Sequence, residues 1–208
     1  DDIAVTQVAT FTYTDGAPLA TVRPDNVNRI SVDLSQVPVP VQQAVLSAED
    51  RTFFSNPGFD ITGIARAVIN QLSGGIGGGS TITQQYVKNY MLYVDAQTEA
   101  ERLKATEQTP ARKLKEARIA LQLERQLSKD EILNRYLNIV FLGNGSYGIA
   151  AGARTYFNTT PDKLTVPQAA LLAGMVRSTT QFDPVQNPQT ALQRRNVVID
   201  QMRQQQMI

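Results

Sequence analysis

Residues 77–85 read Gly-Gly-Gly-Ser-Thr-Ile-Thr-Gln-Gln, a glycine break followed at once by a helical pattern. Glycine permits backbone conformations that end a helix or turn sharply, so this stretch divides a largely helical chain. Gln84, Gln85 and Lys88 fall on one side of the helix that follows, because residues three and four apart are neighbours there. Amides, hydroxyls and a cation at a helix N-terminus are what an anion site requires.

Two other interpretations of the glycine stretch need weighing. Gly74 and Gly79 have the spacing of a nucleotide-binding P-loop, but Ser80 occupies the position of the required lysine, which argues against a nucleotide. The bland interpretation is a flexible linker in which Thr81 and Gln84 form a capping box. On these residues alone, the anion site and the linker remain equally open.

Outward from this stretch, the pattern is a short β segment followed by helices. Residues 5–23 predict a β-hairpin with its turn at Asp15-Gly16, and helical periodicity begins at Pro38. Apolar spacing predicts amphipathic helices at 61–72 and from about 82 to 94. The polar stretch 95–109 is the best candidate for a mobile loop.

Two further helix starts are marked by capping boxes, at Ser128 with Glu131 and at Thr165 with Gln168. Neither an internal repeat nor a domain linker interrupts the helical block. The sequence therefore predicts one mostly α domain behind a short β segment.

Composition narrows the chemistry. The chain has 208 residues, of which 42% are hydrophobic, so it can bury a substantial core. A net charge of +1 does not indicate a nucleic-acid partner. The absence of Cys and His excludes thiol nucleophiles, Ser-His-Asp triads and His zinc sites, which leaves acid–base work to carboxylates, Lys or Tyr. Because no apolar run reaches a membrane span and the first residue is Asp1, we interpret the chain as a soluble fragment of a longer protein.

Two carboxylates lie on apolar helix faces. Glu49 ends the face that carries Val41 and Val45, where partial burial would raise its pKa and suit proton transfer, although a helix-end Glu can equally tip into solvent. Glu116 has Arg112 and Lys113 one turn before it, and the alternative there is a set of local ion pairs on a solvated face.

Carboxylate pairs break glycosidic bonds, and cations at a helix N-terminus stabilise a phosphate leaving group. Together these residues indicate sugar transfer from a phosphate-activated donor.

These residues also resemble a known family, the bacterial peptidoglycan glycosyltransferases, which form the polymerase module of class A penicillin-binding proteins. The first motif is similar to Glu49-Asp50-Arg51-Thr52-Phe53, and the second to Gly78–Gln85 with Lys88-Asn89. The third is similar to Arg112-Lys113 with Glu116, and the fourth to Lys129, Ile132-Leu133, Tyr136-Leu137-Asn138 and Gly143. Gly148 to Phe157 and Arg194-Arg195-Asn196 continue in family order. The match covers roughly residues 35–202, and motifs in order and register are specific.

The resemblance implies a fold. It is mainly α and lysozyme-like, with a globular head and a smaller membrane-associated jaw at about residues 61–109. Residues 1–37 form the N-terminal β segment of a single domain. The resemblance also implies a location at the extracytoplasmic face of the bacterial plasma membrane, with a C-terminal transpeptidase domain in the full-length protein.

The resemblance further implies an inverting transfer that polymerises lipid II into β-1,4 glycan and releases undecaprenyl pyrophosphate. Lipid II and the nascent glycan strand are then the partners, at a membrane surface and without nucleic acid. Glu49 and Glu116 are the implied catalytic residues, and a divalent cation, Mg²⁺, would have Glu116 as its ligand. The implied substrate-binding residues are Asp50, Phe53, Ser80, Thr81, Gln84, Gln85, Lys88, Arg112, Lys113 and Asn138.

The chain departs from the family pattern at three positions. Asn56 stands where a His is usual, which indicates a structural or binding role at that position rather than proton transfer. Gln168 replaces a common acidic residue but still completes the capping box. Phe141 stands where a Tyr is frequent.

Two rival functions remain. A lytic transglycosylase or lysozyme-like hydrolase would use a similar fold and a single Glu, but its sugar leaving group would not require Lys88 or Arg112-Lys113. A non-catalytic lipid-binding module could use the aromatic segment 86–93 as an interfacial patch, although core packing also explains Tyr90 and Met91.

Overall fold

The computed structural model describes residues 9–12, 18–22, 28–58 and 80–208. Within them the chain is mainly helical, which confirms the expected fold class. The elements in order are β1 (Ala9–Thr12), β2 (Pro18–Val22), β3 (Asn28–Arg29), α1 (Val39–Glu49), α2 (Ile82–Tyr90), α3 (Glu99–Thr106), α4 (Pro110–Gln126), α5 (Lys129–Ile139), β4 (Ser146–Tyr147), α6 (Ile149–Phe157), α7 (Val166–Met175) and α8 (Pro188–Gln204).

The N-terminal strands form the expected hairpin. β1 pairs antiparallel with β2, with Phe11 opposite Ala20. The predicted turn at Asp15-Gly16 and the predicted helix at 61–72 lie outside the described residues. β3 pairs in parallel with β4, which joins the N-terminal segment to the helical body.

Capping boxes start four of the α-helices in the described part of the chain. In each, the cap hydroxyl accepts a hydrogen bond from the third helical backbone N–H, and the side chain of that third residue accepts one from the cap N–H. The pairs are Thr81 with Gln84 at α2, Thr98 with Glu101 at α3, Ser128 with Glu131 at α5 and Thr165 with Gln168 at α7. The sequence predicted the boxes at α5 and α7 and offered the box at α2 as the structural interpretation of Thr81 and Gln84, whereas the box at α3 was not predicted.

The prediction of a mobile loop at residues 95–109 is wrong, because α3 occupies most of that stretch. Thr98 caps the helix, acidic side chains fill its first turn, and Lys104 lies in its last turn, where a cation meets the negative helix end. Just before it, the helix predicted to reach about residue 94 continues past Tyr90 as a wider π-helical turn at Met91–Asp95.

The core lies between two groups of helices. α1 packs against α7 and α8, and small residues such as Ala44, Ala169 and Ala173 allow close approach. α2 packs against α4 and α5. Ile82, Leu133 and Tyr136 are fully buried in the same apolar cluster as the α1 side chains. This packing brings the C-terminal end of α1 to the N-terminal half of α2.

Candidate active site

Glu49 is the last residue of α1, and its side chain reaches α2. Its Oε2 accepts a hydrogen bond of 2.9 Å from Nε2 of Gln85. Burial raises the pKa of Glu49 above its ordinary value, while the Gln85 hydrogen bond and the nearby cations Arg194 and Arg177 oppose that rise. A carboxylate with a raised pKa in a partly exposed position is suited to accept a proton.

Gln85 is itself held from the other side. The hydroxyl of Tyr136 on α5 donates to Oε1 of Gln85 at 2.9 Å, and Tyr136 is fully buried. Gln85 Nε2 also lies 3.5 Å from the backbone oxygen of Ser80. The amide therefore links a buried phenol to the carboxylate of Glu49.

Asp50 connects the end of α1 to the start of α2. Its carboxylate accepts hydrogen bonds from the backbone N–H of Ile82 at 3.0 Å, from Thr52 Oγ1 at 3.2 Å and from Asn56 Nδ2 at 3.0 Å. The first N–H groups of a helix have no partner within the helix, so a buried carboxylate stabilises that end. Asp50 thus fixes where α2 begins relative to Glu49.

Asn56, the residue in place of the usual His, belongs to this scaffold. Its amide nitrogen donates to Asp50, and its Oδ1 accepts from the backbone N–H of Gly58 at 2.9 Å. Lys129 Nζ donates to the Asn56 backbone oxygen at 2.7 Å and pairs with Glu124 at 2.8 Å. Of the structural or binding role expected for Asn56, these contacts are of the structural kind.

A second cluster surrounds Glu116 on α4. Its side chain is buried, with ion pairs to Arg112 one turn earlier and to Lys113 Nζ at 3.3 Å. Lys113 Nζ also donates to Ser80 Oγ at 2.9 Å. Ser80 therefore contacts both clusters, through its hydroxyl to Lys113 and through its backbone oxygen to Gln85.

Lys88 on α2 completes the cationic side of the site. Burial lowers the pKa of Lys88, the nearby Arg112 and Lys113 lower it further, and Glu116 opposes them. Three cations thus share one carboxylate, which leaves the cluster with excess positive charge. A partly desolvated cluster of this kind stabilises an anion more strongly than surface lysines do.

Besides Asp50, four more of the expected substrate-binding residues are engaged in the scaffold. Thr81 and Gln84 are buried and form the α2 capping box, and Phe53 is fully buried beneath Lys129, whose Nζ lies 4.6 Å from the ring centroid. Asn138 exchanges two hydrogen bonds of 2.8 Å with the backbone of Val32. Their roles as substrate ligands stay predictions.

The expected divalent cation finds no suitable ligand set here. Mg²⁺ prefers several oxygen ligands in octahedral geometry. Glu116 instead directs one oxygen to Arg112 and the other to Lys113. Among residues 28–58 and 80–208, no group of three or more Asp, Glu, His or Cys side chains could hold a metal. The residues described do not fit the ion, so no step below is assigned to it.

Three side chains of the site had no specific role assigned from the sequence. Tyr136 was part of a motif without a role, although a hydroxyl on a buried apolar stripe must find a partner. Arg194 was named only among the residues that continue in family order, yet it lies near Glu49, with its Nε 3.4 Å from the Gly174 backbone oxygen and its guanidinium 5.8 Å from the Phe182 ring. Arg177, beyond the end of α7, also influences Glu49 and was not identified from sequence.

Comparison with known proteins decides the family. The sequence model of the family described as transglycosylase matches residues 15–203. The chain belongs to the transglycosylase family. Membership confirms the class of enzyme expected from the sequence, a peptidoglycan glycosyltransferase domain of the kind that class A penicillin-binding proteins carry.

Relatives of this transglycosylase domain are longer proteins. The chain is 48% identical over 202 residues to penicillin-binding protein 1A of Mycobacterium tuberculosis, covering 97% of the chain and 24% of that protein. It is 39% identical over 194 residues to penicillin-binding protein 1A/1B of Bacillus subtilis, covering 92% of the chain and 20% of the relative. The chain thus spans about a quarter or less of the length of these relatives.

A solved structure shares the fold. The crystal structure of penicillin-binding protein 1A from Haemophilus influenzae matches with a TM-score of 0.50 and 22% identity, over 98% of this chain and 19% of that one. At this identity the likeness concerns architecture alone. It agrees with a mainly helical transglycosylase domain.

Proposed function

We propose that this domain polymerises lipid II into β-1,4 glycan strands with inversion at the anomeric carbon. The observation that carries the proposal is the junction at Ser80, which contacts both Gln85, the hydrogen-bond donor to Glu49, and Lys113 of the cluster with excess positive charge. The Glu49 carboxylate suits a general base, and the cationic cluster suits a pyrophosphate leaving group. The growing glycan is the donor, and lipid II is the acceptor.

The bond changes follow from these two parts of the site. Glu49 accepts the proton of the acceptor GlcNAc 4-hydroxyl, and that oxygen bonds to C1 of the donor MurNAc. The bond from C1 to the pyrophosphate oxygen breaks, and its electron pair leaves with undecaprenyl pyrophosphate. Attack from the face opposite the leaving group converts the α anomer to β.

The cations have separate tasks in this scheme. Lys88 and Arg112 are the more buried of them, so charge developing on the pyrophosphate would meet them with little screening by water. Lys113, with a side chain 51% exposed, would contact the diphosphate from the solvent side together with Ser80. Glu116 keeps these cations in place.

The setting of the reaction is also part of the proposal. Leu103 on α3 and Leu114 on α4 are 63% and 73% exposed, in or beside the expected jaw, and such side chains could rest on a lipid surface. In the part of the chain that the structure describes, no helix has the length and apolar character of a membrane span. The greater length of the relatives is consistent with further domains, of which a transpeptidase is the one expected.

Incubation of the purified chain with lipid II in detergent tests the proposal. We expect polymeric glycan and released undecaprenyl pyrophosphate, measured by gel electrophoresis and mass spectrometry. A parallel incubation with preformed glycan addresses the hydrolase alternative, since cleavage there without polymerisation of lipid II would contradict a polymerase. Binding to lipid II vesicles without any product would instead indicate a lipid-binding module. Repeating the assay with a chelator decides whether the reaction needs a metal.

A further inference from the structure

Tyr136 places a phenol hydroxyl inside the apolar core, where the Gln85 amide separates it from the candidate base Glu49. It lies on α5 between Leu133 and Leu137, and all three side chains are buried. Its hydroxyl donates to Gln85 Oε1 at 2.9 Å, and Gln85 Nε2 donates to Glu49 Oε2 at 2.9 Å. Residues 36 and 51 positions apart in sequence thus form one chain of hydrogen bonds.

The direction of this chain is fixed by chemistry. An ionised carboxylate only accepts hydrogen bonds, so the amide nitrogen of Gln85 must face Glu49 and the amide oxygen must face Tyr136. Burial, with Glu49 and Asp50 nearby, raises the pKa of Tyr136 well above its ordinary value, so the phenol stays protonated and remains a donor. Donation to the amide oxygen also strengthens the amide as a donor to the carboxylate.

We propose that Tyr136 is a positioning residue that acts through Gln85 to hold the Glu49 carboxylate, occupying Oε2 so that Oε1 is left for the proton of the acceptor hydroxyl. The proposal rests on the proposed function of Glu49 as the general base. Tyr136 touches neither substrate nor reacting atoms in this scheme.

The pH dependence of the reaction distinguishes the two roles that Tyr136 could have, because a residue that only packs in the core would leave the pH profile unchanged. Burial and Asp50 raise the pKa of Glu49, whereas the Gln85 hydrogen bond and the cations Arg194 and Arg177 lower it. Without the Tyr136 hydroxyl the Gln85 amide is free to rotate, its hydrogen bond weakens, and the pKa of Glu49 rises further. A base must be ionised to act, so the acidic limb of the pH profile moves to higher pH.

The primary variant is Tyr136→Phe, which keeps the ring and removes only the hydroxyl. We expect kcat for lipid II polymerisation to fall about 5- to 10-fold at neutral pH, with KM within about twofold and the acidic limb displaced upward. Tyr156→Phe is the matched control, because the Tyr156 hydroxyl donates to the Leu142 backbone oxygen at 2.7 Å and does not contact Gln85. We expect that control to keep the wild-type limb.

A second variant separates the amide from the packing of Tyr136. Gln85→Leu removes both hydrogen bonds from a partly exposed position, so it should displace the acidic limb at least as far, and adding Tyr136→Phe to it should change nothing more. If Tyr136→Phe does not fold, an unmoved acidic limb in Gln85→Leu still contradicts the proposal, because the link from Tyr136 to Glu49 runs through Gln85.

An unmoved acidic limb in folded Tyr136→Phe or in Gln85→Leu would overturn the proposal, as would a full additional effect of Tyr136→Phe in the Gln85→Leu background. Failure of the proposed function would look different. In that case the wild type would not polymerise lipid II, or Glu49→Gln would retain its rate.

Discussion

Glu49 and Glu116 are both carboxylates on helices, yet their surroundings give them different work. Glu49 has one amide donor and is otherwise desolvated, so its pKa rises and it can take up a proton. Glu116 is paired with Arg112 and Lys113 and organises positive charge. The same functional group thus serves as candidate base in one place and as an anchor for cations in the other.

Lys88 offers a test of the cationic side at the level of one residue. We expect Lys88→Met to lower kcat by about 100-fold, because a desolvated cation facing the leaving group is lost. Since burial lowers the pKa of Lys88, and only the protonated amine stabilises pyrophosphate, the wild-type rate should fall as pH rises through that lowered pKa. The measurement is kcat and kcat/KM for lipid II from neutral to alkaline pH.

Lys115→Met is the matched control for that experiment, because Lys115 on α4 is exposed and is neither an ion-pair partner of Glu116 nor one of the charges that shift the pKa of Lys88. The kcat of Lys115→Met should stay within about twofold of the wild-type value. A Lys88→Met protein with wild-type turnover would remove Lys88 from the proposed pyrophosphate site.

At the scale of elements, the junction between α1 and α2 depends on Asp50. Asp50→Ala leaves the Ile82 N–H and the Asn56 amide without their acceptor in a buried place. We expect the free energy of unfolding to fall by about 1–3 kcal/mol, which corresponds to a Tm about 2–12 °C lower for a domain of this size. Thermal unfolding followed by circular dichroism measures this.

Asp130→Ala gives the comparison, because that carboxylate is exposed in the first turn of α5. Its loss should cost no more than about 1 kcal/mol. Equal destabilisation by the two substitutions would contradict a special role for Asp50 at the junction.

Helix boundaries were the most predictable feature, and α3 shows why one of them was missed. Ser128 and Thr165 correctly predicted the starts of α5 and α7, because an apolar stripe followed each capping residue. Thr98 and Glu101 form an equally complete box, but Ala105 is the only α3 residue that is buried. Because residues 95–109 lack apolar periodicity, their sequence resembles that of a loop. The capping box of Thr98 and Glu101 is the sequence signal that indicates a helix there.

At the scale of the whole molecule, composition constrains function through absence and through local charge. Without Cys or His, acid–base work near neutral pH is left to carboxylates, Lys or Tyr, and Glu49 is a carboxylate whose pKa burial raises. The net charge of +1 conceals the cationic cluster at Lys88, Arg112 and Lys113. Only the fold reveals that concentration of charge.

The sequence predicted which residues belong to the candidate site better than it predicted which of them contact each other. The motifs identified Glu49, Ser80 and the cations, and the structure brings them together. The chain from Tyr136 through Gln85 to Glu49 was not foreseeable, because it depends on how α1, α2 and α5 pack. The capping-box spacing did indicate a structural role for Thr81 and Gln84, and both form that box at the start of α2.

The most direct test of the central claim is the rate of lipid II polymerisation by Glu49→Gln beside wild type, with thermal unfolding of both as the control for folding. Gln cannot accept the acceptor proton, so we predict a loss of about 100- to 10,000-fold in kcat with an unfolding transition no lower than that of wild type. Near-normal turnover by the folded variant would contradict the account.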